Sequence, residues 1–175
     1  VDILFKTVHG SRLYGLNHED SDYDYYTVVG KVKTAKAKYS THKIVDEVDS
    51  VVVDFGTWIN LCTSGVPQAL EAMFAQPPHV VYDDISSFRE GWTLGTQVFD
   101  KYLRTVKSFA YGGTEKKRRH ALRLAINLND LARTGRFNPT LSPVDVEWIK
   151  TMASALDEDD LYRLALDTAW GPGLT

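Results

Sequence analysis

The stretch best equipped for chemistry is Gly10-Ser11-Arg12-Leu13-Tyr14-Gly15, followed by Ser21-Asp22-Tyr23-Asp24. The two aspartates stand two positions apart in a sequence that favours a strand, and strand alternation turns both carboxylates to one face. Crowded carboxylates repel unless a cation neutralises them. A hard divalent cation such as Mg²⁺ takes oxygen ligands, commonly one or two carboxylates together with substrate phosphates. The Gly-Ser turn just upstream offers backbone N–H groups and a hydroxyl to anionic oxygens. Together these pieces read as a metal–nucleotide site, with a phosphate cradle beside a carboxylate pair. Either signal alone is common: Asp-x-Asp is often a solvated turn, and Gly-Ser occurs everywhere. Their order and spacing make the combination specific.

Val8-His9-Gly10-Ser11-Arg12-Leu13-Tyr14-Gly15-Leu16, then Asp20-Ser21-Asp22-Tyr23-Asp24, resembles the signature of the DNA polymerase beta-like nucleotidyltransferase superfamily. The fuller pattern, Gly-Ser-Arg-x-Tyr-Gly with Ser-Asp-x-Asp after it, is similar to the RNA-repair-pathway polymerase beta branch. Val53-Asp54-Phe55 resembles that family's strand with the third carboxylate. Pro67-Gln68-Ala69-Leu70-Glu71 resembles its Asn-Pro-x-x-x-Glu helix, with Val66 in place of the Asn. Lys117 to Gly135 resembles its C-terminal helix, with Arg123 at the arginine position. The likeness spans roughly residues 5 to 137.

The resemblance implies an α+β fold, a small mixed sheet with packed helices followed by a C-terminal helical bundle. It implies Mg²⁺-dependent (or Mn²⁺-dependent) transfer of a nucleoside monophosphate from an NTP such as ATP to an acceptor hydroxyl, with pyrophosphate released. Two metal ions would act, with Asp22 and Asp24 holding both and Asp54 holding the catalytic one. Gly10 and Ser11 would bind the triphosphate, with Arg12 beside them. Asp46, Glu47 and Asp49 lie in the same β-rich region as Asp54 and are alternatives to it. Asp54 is preferred because it ends an apolar run and directly precedes a helix, where it could also serve simply as a cap.

Those residues need elements to hold them. Residues 3–8 read as an apolar strand and Gly10 to Asp22 as a loop running into a short helix. Tyr23 to Val29 reads as a strand, and Lys31 to Tyr39 as an exposed, mobile loop. Lys43 to Phe55 is β-rich. The period then turns helical: Thr57 to Cys62, Pro67 to about Ala75, and, after a short strand over 79–82, Leu94 to Ala110. The clearest helix runs from its cap at Thr114 to Gly135, with Ala121, Leu122, Leu124, Ala125, Leu128, Leu131 and Ala132 as its apolar face. Two more cover 142–156 and 158–169. We expect a catalytic core over 1–92 and a helical region over 93–175 that packs on it and does not fold alone.

Charge is distributed unevenly along the 175 residues. Residues 101–136 carry ten Lys/Arg against two Asp/Glu, a net of +8, and residues 144–167 carry two against seven, a net of −5. The overall −3 therefore says little about a polyanionic substrate. Lys116 and Arg119 precede Arg123 by seven and four residues and share its face, so the three are candidate phosphate contacts. Lys107 and Ser108 form a weaker pair. Lys117 and Arg118 point elsewhere, toward solvent. His9 could reach a phosphate or serve in packing. Trp58, Trp92, Trp148 and Trp170 read as core or interface anchors, Met73 and Met152 as packing, and Cys62 as a small buried hydrophobe.

A lone cysteine excludes an internal disulfide framework and a cysteine-rich zinc site. No apolar run approaches the roughly 20 residues of a membrane span, and no signal peptide is visible, so a cytoplasmic protein is expected. Three functions compete: a catalytic nucleotidyltransferase; a non-catalytic nucleotide-binding or antitoxin-like module; and a nucleic-acid-binding protein using the basic 101–136 segment. The intact Ser11, Asp22 and Asp24 favour the first. The acceptor could be an RNA or DNA end, a tRNA, a protein or a small molecule.

Overall fold

The computed structural model describes residues 2–31, 41–45 and 48–171. The expected loop over Lys31–Tyr39 falls almost wholly outside them, as do Asp46 and Glu47. The fold is α+β. Five strands form one mixed sheet in the order β3-β4-β2-β1-β5. They are β1 (Ile3–His9), β2 (Tyr23–Val29), β3 (Thr41–Val45), β4 (Val48–Asp54) and β5 (Val80–Asp83). β1 lies antiparallel to β2 and β5, while β2 and β4 run parallel.

Alternation sorts these strands as the physics of a half-buried sheet requires. In β1, Phe5, Thr7 and His9 are buried while Leu4, Lys6 and Val8 are less so. The register aligns these positions into three rows: Phe5 with Val28 and Val53, Thr7 with Tyr26 and Val51, His9 with Asp24 and Asp49. The first two rows are core. The third replaces apolar residues with a histidine and two aspartates at one end of the sheet.

Eight helices complete the described fold: α1 (Ser11–Tyr14), α2 (Phe55–Ser64), α3 (Pro67–Phe74), α4 (Ser86–Glu90), α5 (Gln97–Ala110), α6 (Glu115–Thr134), α7 (Pro143–Ala155) and α8 (Glu158–Trp170). Their ends carry local signals. Thr114, Ser142 and Asp157 each accept the hydrogen bond of a backbone N–H three residues on. Pro67 and Pro143 open α3 and α7. Gly65 and Gly135 close α2 and α6 in the left-handed conformation. At Gly65 a side chain is excluded twice, since an added Cβ would lie 2.8 Å from the backbone of Val98. α4 has no counterpart in the sequence reading, and α5 begins at Gln97 rather than Leu94.

α2 and α3 cover the sheet. Trp58 is fully buried, stacks on Phe5 at 6.1 Å and donates to the Ala69 carbonyl. Cys62 is buried beside them, and burial pushes its thiol pKa up. α5, α6, α7 and α8 form the helical region, with α6 packed against each of the other three. Two arginines knit it to the sheet. Arg89 pairs with Asp83 and donates to the Met73 carbonyl. Arg136 donates to the carbonyls of Arg89, Glu90 and Trp92. Trp170 is exposed. No helix among the described residues is long and apolar enough to cross a membrane.

Candidate active site

β1 delivers the chain to Gly10, which takes φ +69° and opens the single turn of α1; Gly15 closes it at φ +85°. Gly10 is required for a second reason. A Cβ added there would sit 2.3 Å from Asp24 Oδ2. The Asp24 carboxylate therefore occupies the space that any other residue would fill. Ser11 follows directly as the first residue of α1. The Gly10 turn and the Asp24 carboxylate, joined only by order in the sequence, meet in the fold.

Arg12 does not reach into that site. Its guanidinium lies 3.9 Å from the centre of the Tyr23 ring and donates to the Ser21 and Glu19 carbonyls. It holds the loop that leads into β2 in shape. Asp22 is exposed, one residue before the strand, and Asp24 is half-buried within it.

Asp54, the expected third carboxylate, is placed elsewhere. It pairs in register with Val29, five residues along the parallel strands from Asp24, which at roughly 3.3 Å per residue is about 16 Å. Its carboxylate caps α2, accepting from Thr57 N at 3.0 Å and Thr57 Oγ1 at 2.7 Å. Burial opposes ionisation, but the bonds from Thr57 and the neighbouring backbone N–H groups together outweigh it and lower the Asp54 pKa. The residue level with Asp24 is Asp49.

The basic face of α6 also departs from expectation. Arg123 is buried and ion-paired with Glu71, which is fully buried on α3. Burial pulls the arginine pKa down, but the neighbouring carboxylate outweighs it and the net shift is upward. Arg119 pairs with Glu115 on its own helix at 2.8 Å. Arg118 is half-buried and donates to the Ala153 carbonyl of α7 at 3.0 Å rather than standing wholly in solvent. Of the three candidate phosphate contacts, Lys116 is exposed and, among the described residues, forms no ion pair. Arg133 and Arg136 are engaged as well and Lys107 stands over the Tyr162 ring, so at least six of the ten cations in 101–136 already have protein partners.

Glu71 anchors a cluster that the sequence reading did not assemble. Tyr14 donates to Glu71 Oε2 and carries the Arg123 guanidinium 3.7 Å above its ring. His9 Nε2 stands 3.9 Å from the same carboxylate. His120 lies edge-on to Tyr14 and faces the Arg123 Nε at 3.3 Å. Burial, with Arg123 and Lys116 adding to it, pushes the His120 pKa down to about 3. Burial pushes the Tyr14 phenol well above its usual range. The signal for this cluster was present: a glutamate amid Ala69, Leu70, Ala72, Met73 and Phe74 is a buried carboxylate that demands a cation.

A cavity of about 560 Å³ lies away from this site between α6, α7 and α8, where Ile126, Trp148 and Leu164 meet Asp130, Asp145 and Asp167.

Over residues 1–163 the sequence matches the profile of the RNA repair pathway DNA polymerase beta family. The chain belongs to that family. Its membership makes it a polymerase beta-like nucleotidyltransferase relative and agrees with the sheet-plus-helices fold. No curated protein matches the chain.

Proposed function

We propose that the protein transfers a nucleoside monophosphate from an NTP to an acceptor hydroxyl, with release of pyrophosphate, in a reaction that requires Mg²⁺ or Mn²⁺. The observation that carries this reading is the seating of the Asp24 carboxylate against Gly10, beside Ser11 and level with Asp49. That corner brings acidic oxygens to the place where a glycine–serine turn can receive phosphates.

The donor set suits a hard cation. No group of three metal-binding side chains stands assembled among the described residues. Asp22 and Asp24 supply oxygen donors two positions apart, and Asp49 occupies the register position of a third. Bound divalent ions would neutralise charge on the attacking and leaving oxygens of an in-line displacement. In our reading Asp49 replaces Asp54 as the third carboxylate and takes up the role of drawing the proton from the acceptor hydroxyl. The hydroxyl oxygen then bonds to the α-phosphorus as the bond to the β-phosphate oxygen breaks. Gly10 and Ser11 hold the triphosphate, and Lys116 is the α6 cation able to meet a phosphate from solvent. Residues 1–92 act as the catalytic core and 93–175 as the helical region packed on it. The family's name puts RNA ends first among acceptors, ahead of DNA ends, tRNA, proteins and small molecules.

The test is label transfer. The protein is incubated with each labelled NTP, Mg²⁺ or Mn²⁺, and a panel of RNA, DNA, tRNA and protein acceptors. Transfer that disappears in the Asp22→Asn/Asp24→Asn variant supports the proposal. Transfer that survives this double change would overturn it, as would the absence of transfer to every acceptor.

A further inference from the structure

α1 is one turn long, and a helix that short has no stability of its own. It is bounded by two glycines at positive φ, and its backbone bonds close only on Gly10 and Ser11. Something outside the turn must hold it. Leu13 and Tyr14 are both buried, and the Tyr14 carbonyl accepts from Leu141 N at 3.1 Å. The directional contact is the Tyr14 hydroxyl to Glu71, with the Arg123 guanidinium stacked on the ring.

We infer that Glu71 is a positioning residue for the Gly10–Ser11 turn, acting through Tyr14, with Arg123 as its counter-charge. Both carboxylate oxygens are engaged: Oε1 takes Arg123 and Oε2 takes Tyr14. An apolar trio of similar size would fill the same space at comparable stability. What the charged trio adds is direction, because each bond has a fixed donor and a fixed acceptor. Tyr14 sits three residues after Ser11 on the same hydrogen-bonded turn, so a shift of the Tyr14 backbone is passed to the serine. At the other end of the turn Gly10 lies against Asp24 with no room for a methyl group. A displacement of Tyr14 therefore reaches the serine hydroxyl and the aspartate together. By this route Glu71 on α3 and Arg123 on α6 shape the phosphate corner without either side chain touching a nucleotide. The consequence for substrate rests on the function proposed above; the positioning itself does not.

Two measurements on the full chain test the inference. In Tyr14→Phe, which keeps the ring but loses its bond to Glu71, amide hydrogen exchange should quicken over residues 10–16 and stay unchanged along α5 and α8. Glu71→Gln should give the same pattern, and if it fails to fold, Tyr14→Phe alone decides. The second measurement is ATP affinity in Mg²⁺ for wild type, Ser11→Ala, Tyr14→Phe and the double variant. Tyr14→Phe should weaken binding about tenfold, as loss of a hydrogen bond to a charged group does. Ser11→Ala should cost less in the Tyr14→Phe background than in wild type, the mark of residues that act as a unit. Unaltered exchange over 10–16 would overturn the inference, and so would Ser11 and Tyr14 effects that simply multiply. If wild type binds no nucleotide while exchange responds as expected, the positioning role stands and the nucleotide reading falls.

Discussion

Two charged groups flank the same six-residue turn, and they are built in opposite ways. On the Gly10 side, Asp22 is exposed and Asp24 half-buried, with a glycine trimmed to admit a carboxylate. On the Tyr14 side, Glu71 is fully buried and Arg123 nearly so, each charge matched within the protein. The difference is one of exposure: Asp22 stands in water, while Glu71 and Arg123 are taken out of it. A carboxylate taken out of water must already have its partner, because a lone buried charge costs far more than folding can absorb.

The contrast can be broken most forcefully at Glu71. Glu71→Ala leaves Arg123 buried without its counter-ion and should destabilise the protein by about 3–5 kcal/mol, measured by urea unfolding. Asp22→Ala, at an exposed position, should change stability by no more than about 0.5 kcal/mol in the same measurement. Equal effects would erase the distinction.

A second pair of acids sharpens it further. Asp49→Asn should lower label transfer at least about 10²-fold, the scale on which losing one electrostatic stabiliser of a transition state acts. Asp54→Ala should do the reverse, costing about 1 kcal/mol through the lost α2 cap while transfer is retained. Transfer assays and unfolding curves on both variants decide which acid belongs to the chemistry.

The smallest effect is a pH dependence on the closed side. The His120 pKa in the folded protein is about 3, against roughly 6.5 in an unfolded chain. Between these values the unfolded state binds the extra proton, so stability falls as pH drops below 6.5. By pH 5 the loss is at most about 2 kcal/mol, reduced to the extent that water reaches the ring. Unfolding at pH 7.5 and 5 should show a smaller loss in His120→Gln than in wild type.

Much of the fold was legible because its signals are local. Caps at Thr114 and Ser142, helix-opening prolines at 67 and 143, and the left-handed glycine at 135 need only a few neighbours to be understood. The Gly10–Asp24 corner was legible as well, since order and spacing bring the turn and the strand together. What escaped depends on partners far apart in sequence. Arg123 looks available until Glu71, 52 residues away, is placed against it. Arg118 looks solvated until the Ala153 carbonyl, 35 residues on, meets it. Asp54 looked right because it precedes a helix, and that same position made it a cap. α4 was missed because five residues, Ser86–Glu90, are too few for an apolar period to show.

The parallel pairing of β2 and β4 has a consequence for reading related chains. Two strands that run the same way keep the same phase, so Asp24-Tyr25-Tyr26-Thr27-Val28-Val29 and Asp49-Ser50-Val51-Val52-Val53-Asp54 align letter for letter. Each carries an acid at its second position and becomes β-branched or aromatic over its last apolar residues. The partner of a strand-opening aspartate is therefore to be sought ahead of the next apolar run, at the same beat, and an acid that closes that run belongs to the helix it introduces.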